Sequence, residues 1–130
     1  MKTVLTYGTF DLFHFGHLRL LERARALGDR LVVGVSTEGF CAIKGKVPVC
    51  SYEERAAIVG ALECVHAVIR EERWEQKARD IDQWSAQLVV MGSDWAGKLD
   101  DIPGMLYLPR TPGVSSSSRR TSIDAPGPTL

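Results

Sequence analysis

The sequence has no apolar run approaching the length of a bilayer-spanning helix, so it does not read as a membrane protein. It has no excess of either charge, with 16 Lys and Arg against 16 Asp and Glu. That balance argues against a general nucleic-acid binder and against a protein held on a membrane surface. Cysteine is sparse. Cys41, Cys50 and Cys64 are odd in number and lack C-x-x-C spacing, so neither a disulfide framework nor a cysteine zinc site is expected, and they read as reduced thiols. Met1-Lys2-Thr3 leads directly into an apolar stretch without room for a signal peptide, so a cytoplasmic location is expected. No internal repeat is visible, and 130 residues suit one domain with a two-sided core.

What is present alternates between two periods. Short apolar runs at Val4-Leu5, Leu31–Ser36, Val65–Ile69, Leu88–Met91 and Met105–Leu108 read as strands, the second so uniformly apolar that both its faces are covered. Helices are expected over His17–Leu27, with Leu18, Leu21, Ala24 and Leu27 inward, and from the S-x-x-E box at Ser51 to about Leu62, with Tyr52, Ala56 and Val59 inward. A third runs over Trp74–Ser85 with Trp74, Ala78, Ile81 and Trp84 on one side. Thr37–Cys50 shows neither period and reads as a long loop. The domain is expected to span residues 1–122, with 123–130 a disordered tail after the Ser, Arg, Pro and Gly-rich stretch that begins at Val114. Strands alternating with helices through right-handed crossovers give an α/β fold with a doubly wound, five-stranded parallel sheet in the order 3-2-1-4-5. Ligands of such sheets bind beyond the carboxyl ends of the strands at the switch point, here between strands 1 and 4.

The chain is organised around Tyr7–His17, the turn that follows the first strand and opens the first helix. Amides at the start of a helix and the helix dipole favour an anion there, and phosphate is the natural guest. His14 and His17 are three apart, on one face of the first turn, where their ring N–H groups bracket one anion; Gly8 and Gly16 leave room for it. The plainer alternative has one histidine capping the helix, the other satisfied in the core, and Asp11 closing an Asx turn. No third ligand at a suitable spacing supports a zinc site, so no metal held by the protein itself is expected. Arg55 lies in the first turn of its helix, where the dipole disfavours a cation without a nearby anion, which hints at a ligand phosphate.

Gly-Thr-Phe-Asp at 8–11 followed by His-x-Gly-His at 14–17 resembles the signature of the nucleotidylyltransferases, a superfamily related to the class I aminoacyl-tRNA synthetases. Further stretches extend the likeness: Leu20–Ala24, Ser51-Tyr52-Glu53, Trp74–Lys77, Met91–Trp95 and Leu108–Thr111. Over about residues 1–117 the chain resembles the glycerol-3-phosphate cytidylyltransferases. The resemblance implies a single Rossmann-like domain, a homodimer, and transfer of CMP from CTP to a phosphorylated alcohol such as glycerol 3-phosphate, with Mg²⁺ bridging the nucleotide's phosphates. It also implies roles. His14, His17, Lys44 and Arg110 would be catalytic; Thr9, Phe10, Asp11, Gly92, Asp94, Trp95, Arg110, Thr111, Ser115, Ser116 and Ser117 would join the histidines in binding the nucleotide. Lys44 and Lys46, expected on a mobile loop, would with Arg55 and Trp74 meet the acceptor.

Four departures stand against the family pattern: Arg-Thr-Pro-Gly-Val-Ser-Ser-Ser at 110–117 for Arg-Thr-Glu-Gly-Ile-Ser-Thr-Thr, Glu38 for Asp, Glu63 for Arg, and His66 for Asp. The reversed charge at Glu63 bears on an anion contact or a dimer partner, and hence on the acceptor. Two alternatives stay open: a nucleotidylyltransferase using another phospho-acceptor or ATP, to which the serine run followed by Arg119-Arg120 bears a faint likeness, and a catalytically silent nucleotide-binding module.

Overall fold

The computed structural model describes residues 1–109. Five strands form one parallel sheet in the order expected, β3-β2-β1-β4-β5. They are β1 (Thr3–Gly8), β2 (Arg30–Ser36), β3 (Ala67–Glu71), β4 (Ala86–Gly92) and β5 (Met105–Leu108). The helices are α1 (Phe15–Arg25), α2 (Glu38–Ile43), α3 (Tyr52–Gly60) and α4 (Gln76–Trp84). One cluster, with Val4, Leu21, Leu31, Val33, Val59 and Val90, fills one side of the sheet. A second, with Leu5, Tyr7, Val32, Val89 and Met91, fills the other. Successive strand side chains point to opposite faces, so β1, β2 and β4 contribute to both clusters, which is why they are apolar without alternation. Among the described residues, no helix is long and apolar enough to cross a membrane.

Three elements differ from the sequence reading. Residues 38–43 are helical rather than loop: the Thr37 side chain accepts from the Phe40 amide, and Phe40 and Cys41 are buried. A helix this short needs that cap and two anchored side chains, which a periodicity window cannot see. The third strand lies two residues later than expected, which pairs Ser36 of β2 with Glu71 at the carboxyl end of β3. The buried positions of α4 are Gln76, Lys77 and Asp80. Ala78 faces solvent, Trp74 precedes the helix and is half-exposed, and Ile81 and Trp84 alone of the expected stripe pack against the core. Hydrogen-bonding demand from the sheet turned the helix, because Tyr7 Oη donates to Asp80 Oδ2 (2.8 Å) and Gln76 Nε2 donates to the same oxygen (2.9 Å).

Tyr7 stands opposite Gly34 on β2, and any side chain at 34 would collide with the Tyr7 ring. The glycine inside this apolar strand thus marks a close approach by a ring, one of the meanings an internal strand glycine carries.

Candidate active site

The β1–α1 turn is held in an unfavourable backbone conformation. Phe10 (φ 55°) and Leu12 (φ 49°) are both left-handed, which costs on the order of 1–2 kcal/mol for each residue with a side chain. Buried anchors offset the cost. The Phe10 ring is 4% exposed and packs so closely over Gly8 that a Cβ there would lie 3.0 Å from it. Gly8 thus makes room for Phe10, and it also lines the cavity described below. The Asp11 carboxylate accepts the Val49 and Cys50 amides at 2.8 and 2.9 Å, tying the turn to the segment before α3.

The two histidines form a reciprocal cap. His14 is the N-cap of α1, and its Nδ1 accepts from the Gly16 amide at 3.0 Å. His17 Nδ1 accepts from the His14 amide at 3.2 Å. The rings stack with centroids 4.0 Å apart, and Phe13 and Phe10 flank His17. In each ring the basic nitrogen is committed to a backbone N–H, so the proton of the neutral imidazole sits on Nε2. Burial pulls the His17 pKa down to about 3, with His14 adding to the effect and Asp11 opposing it. At neutral pH His17 is an uncharged Nε2–H donor, not a base. The plain reading of a capping histidine and the functional one are compatible: the cap selects the tautomer.

A cavity of about 530 Å³ opens beyond the carboxyl ends of β1 and β4. From the expected set it gathers Thr9, Phe10, Asp11, His17, Lys44, Lys46, Trp74, Gly92, Asp94 and Trp95. His14 is 5% exposed and stacks on His17, and it is not among the residues lining the cavity. Lys44 is not on a mobile loop. It caps the end of α2, and its Nζ donates to Ser36 Oγ at 2.9 Å and Thr9 Oγ1 at 3.2 Å while lying 4.9 Å from the Phe40 ring. Burial lowers its pKa, Glu71 opposes that, and Lys46 and Lys77 add to the lowering. A partly desolvated ammonium amid other cations is well suited to an incoming anion.

Arg55 has a different place from the one expected. It is 1% exposed, and its guanidinium donates to the carbonyls of Thr9 (2.8 Å), Ser36 (2.7 Å) and Cys50 (3.0 Å) and to Glu38 Oε1 (3.2 Å). It is a staple beneath the cavity floor, and the cation in the first turn answers carbonyls rather than a ligand phosphate. Glu38 also accepts from the Tyr52 amide, so it joins α2 to α3. Glu63 and His66 are exposed on the connection into the amino end of β3, away from the cavity. Arg110, Thr111, Ser115, Ser116 and Ser117 lie outside the described residues.

Sequence reasoning missed Tyr7, Glu71 and Lys77, which also line the cavity. Glu71 is 3% exposed and accepts from Ser36 Oγ (2.7 Å) and Lys77 Nζ (3.0 Å). Lys77 and Lys44 are thus joined through Glu71 and Ser36. The available signal was the spacing of Gln76, Lys77 and Asp80, polar side chains recurring on one face of a helix that must also cover a sheet.

A switch-point cavity lined by ammonium groups, beside a helix start capped by paired imidazoles, defines a nucleotidyltransferase-type α/β domain. The chain belongs to the cytidylyltransferase-like family, whose family model matches residues 5–121. It is 49% identical over 120 residues to the glycerol-3-phosphate cytidylyltransferase of Bacillus spizizenii, covering 90% of this chain and 93% of that protein. With the glycerol-3-phosphate cytidylyltransferase of Staphylococcus aureus it shares 43% identity over 126 residues, covering 95% and 96%. A lipopolysaccharide core biosynthesis protein from Thermoplasma volcanium superposes with a TM-score of 0.74 at 23% identity, over 85% of this chain and 98% of that one, a likeness of fold.

Proposed function

We propose that the protein transfers CMP from CTP to glycerol 3-phosphate, yielding CDP-glycerol and pyrophosphate. The observation that carries the chemistry is the reciprocal cap: both imidazoles have Nδ1 occupied by a backbone N–H, so they act on phosphate as Nε2–H donors. The names of the relatives that match over nearly the whole chain support the choice of substrates.

An oxygen of the acceptor's phosphate attacks the α-phosphorus in line. The new P–O bond forms as the bond from the α-phosphorus to the bridging oxygen breaks, and the electron pair leaves with pyrophosphate. A phosphate monoester has its second pKa near 6, so at neutral pH the nucleophile is already an oxyanion and no base is needed. This suits a His17 that cannot accept the proton at Nδ1. The protein's contribution is orientation and stabilisation of charge on the α-phosphate and leaving group. His14 and His17 donate there. Lys44 and Lys46 hold phosphate oxygens, and Asp94, Trp95 and Gly92 border the nucleoside. Thr9 and Phe10 offer backbone amides, and Arg110, Thr111 and Ser115–Ser117 are proposed as further donors to the phosphates.

Mg²⁺ enters this scheme with the nucleotide. A hard cation of this kind would be ligated mainly by phosphate oxygens and water. The cation would neutralise charge on the leaving pyrophosphate. The working form we propose is a cytoplasmic homodimer, with exposed Glu63 and His66 on surface that the partner can reach.

Pyrophosphate release with CTP, Mg²⁺ and a panel of phospho-alcohols tests the reading. Turnover is expected with CTP and glycerol 3-phosphate. Preference for ATP would move the protein to an adenylyltransferase role, and no turnover with any pair would make it a binding module.

A further inference from the structure

Lys77 does something the reaction itself does not ask for. Its side chain is 3% exposed, yet it lines the cavity. It lies 4.5 Å from the centroid of the Tyr7 ring and 5.7 Å from that of Trp74, while donating to Glu71 Oε2 at 3.0 Å. Aromatic faces beside a carboxylate make the environment that captures a ligand's ammonium group. Here a side chain of the protein occupies it. The neighbouring ring is filled in the same way, since Trp74 packs edge-on against Phe40 (4.9 Å) and Lys44 Nζ lies over that ring. The box is also rigid: Tyr7 Oη is tied to Asp80, which Gln76 holds in turn.

We propose that Lys77 is a specificity-determining residue whose ammonium fills the Tyr7–Trp74–Glu71 box, so that the site accepts phosphorylated neutral polyols and rejects phosphorylated amino-alcohols. The inference rests on the reading of the protein as a cytidylyltransferase for a phospho-alcohol and says how it chooses among them. A cationic head group would meet like charge from Lys77 and find the aromatic faces taken. A polyol's hydroxyls instead meet donors and acceptors: the Lys77 ammonium and the Glu71 carboxylate. A pair serving stability alone has no reason to line the cavity, since replacing a buried ion pair by packed apolar groups is often neutral or stabilising.

The test compares kcat/KM for glycerol 3-phosphate with that for phosphocholine, with CTP and Mg²⁺, in the wild type and in Lys77→Ala, Lys77→Ser and Lys77→Arg. Lys77→Ala leaves an acidic aromatic box. The ratio of phosphocholine to glycerol 3-phosphate should rise by about tenfold or more, the scale of one desolvated cation–π contact. Lys77→Arg keeps a cation and should keep the wild-type ratio. If Lys77→Ala does not fold, Lys77→Ser, whose hydroxyl can donate to Glu71 while the aromatic faces stay vacant, decides: it should also raise the ratio. An unchanged ratio in a folded variant without the cation, Lys77→Ala or Lys77→Ser, overturns the inference. So does an equal rise in KM for both acceptors, which would make Lys77 a phosphate ligand. A wild type active on glycerol 3-phosphate with the ratio fixed in every variant sinks this inference alone. A wild type inactive with every phospho-alcohol sinks the functional reading and this inference with it.

Discussion

Replacing His17 by asparagine separates its two jobs. Asparagine places Oδ1 about where the imidazole has Nδ1, so it can still accept from the His14 amide, but nothing replaces Nε2–H. Alanine removes both. The structure assigns His17 one cap hydrogen bond at 3.2 Å and ring contacts with His14, Phe13 and Phe10. Loss of a cap costs about 1 kcal/mol, and the ring packing adds about 0.5–1.5 kcal/mol. His17→Ala should therefore lose roughly 2 kcal/mol of stability, and His17→Asn only the packing part. Turnover should not follow that order. Each variant lacks the proposed donor to the transition state, and removal of one such donor typically costs about 10²–10³ in kcat. Urea unfolding and steady-state pyrophosphate release, measured on the same preparations, give both quantities. His17→Asn within tenfold of wild-type turnover would refute the argument, since the ring would then serve the helix alone.

Arg55→Met keeps the length of the side chain but strips its donors from the carbonyls of Thr9, Ser36 and Cys50; at about 1–3 kcal/mol for each buried group left unpaired, denaturant titration should show a loss of several kcal/mol. A loss below 1 kcal/mol would return Arg55 to the ligand. Stability should also respond to acid through His17. Its folded pKa, about 3, lies below the unfolded value of 6.5, so the unfolded chain takes the proton first. The contribution is complete above pH 6.5 and declines by about 1.4 kcal/mol per pH unit below it, until the folded pKa is reached. Unfolding at pH 7 and pH 5 should show a drop in the wild type that is smaller by about 2 kcal/mol in His17→Asn; equal drops would mean that the imidazole is not kept neutral by the fold.

Sequence and structure agree where physics is local or repetitive. The apolar runs that became β1, β2 and β4, the S-x-x-E box at Ser51, and alternation of strand and helix were enough for the sheet order. The disagreements arise where a side chain answers a distant partner. Arg55 looked misplaced because its helix dipole is a local quantity, whereas its actual partners are 19 and 46 residues away, at Ser36 and Thr9. Gln76, Lys77 and Asp80 broke the expected stripe of α4 because they serve Arg70, Glu71 and Tyr7 rather than the core. Of the candidate site, the most legible part was the His-x-Gly-His turn: a three-residue spacing at a helix start brings two side chains together without any knowledge of the fold, and the rings stack with centroids 4.0 Å apart. What the spacing could not reveal is that each ring nitrogen's role is set by a backbone amide of the same turn.

The proposed mechanism turns on those ring nitrogens, and a crystal structure with CTP and Mg²⁺ bound tests them most directly. It should place Nε2 of His14 and of His17 within about 3.2 Å of phosphate oxygens flanking the α-phosphorus, with both Nδ1 atoms still accepting from the turn. A nucleotide seated elsewhere, or imidazoles that abandon the cap and present Nδ1 to the ligand, would contradict it.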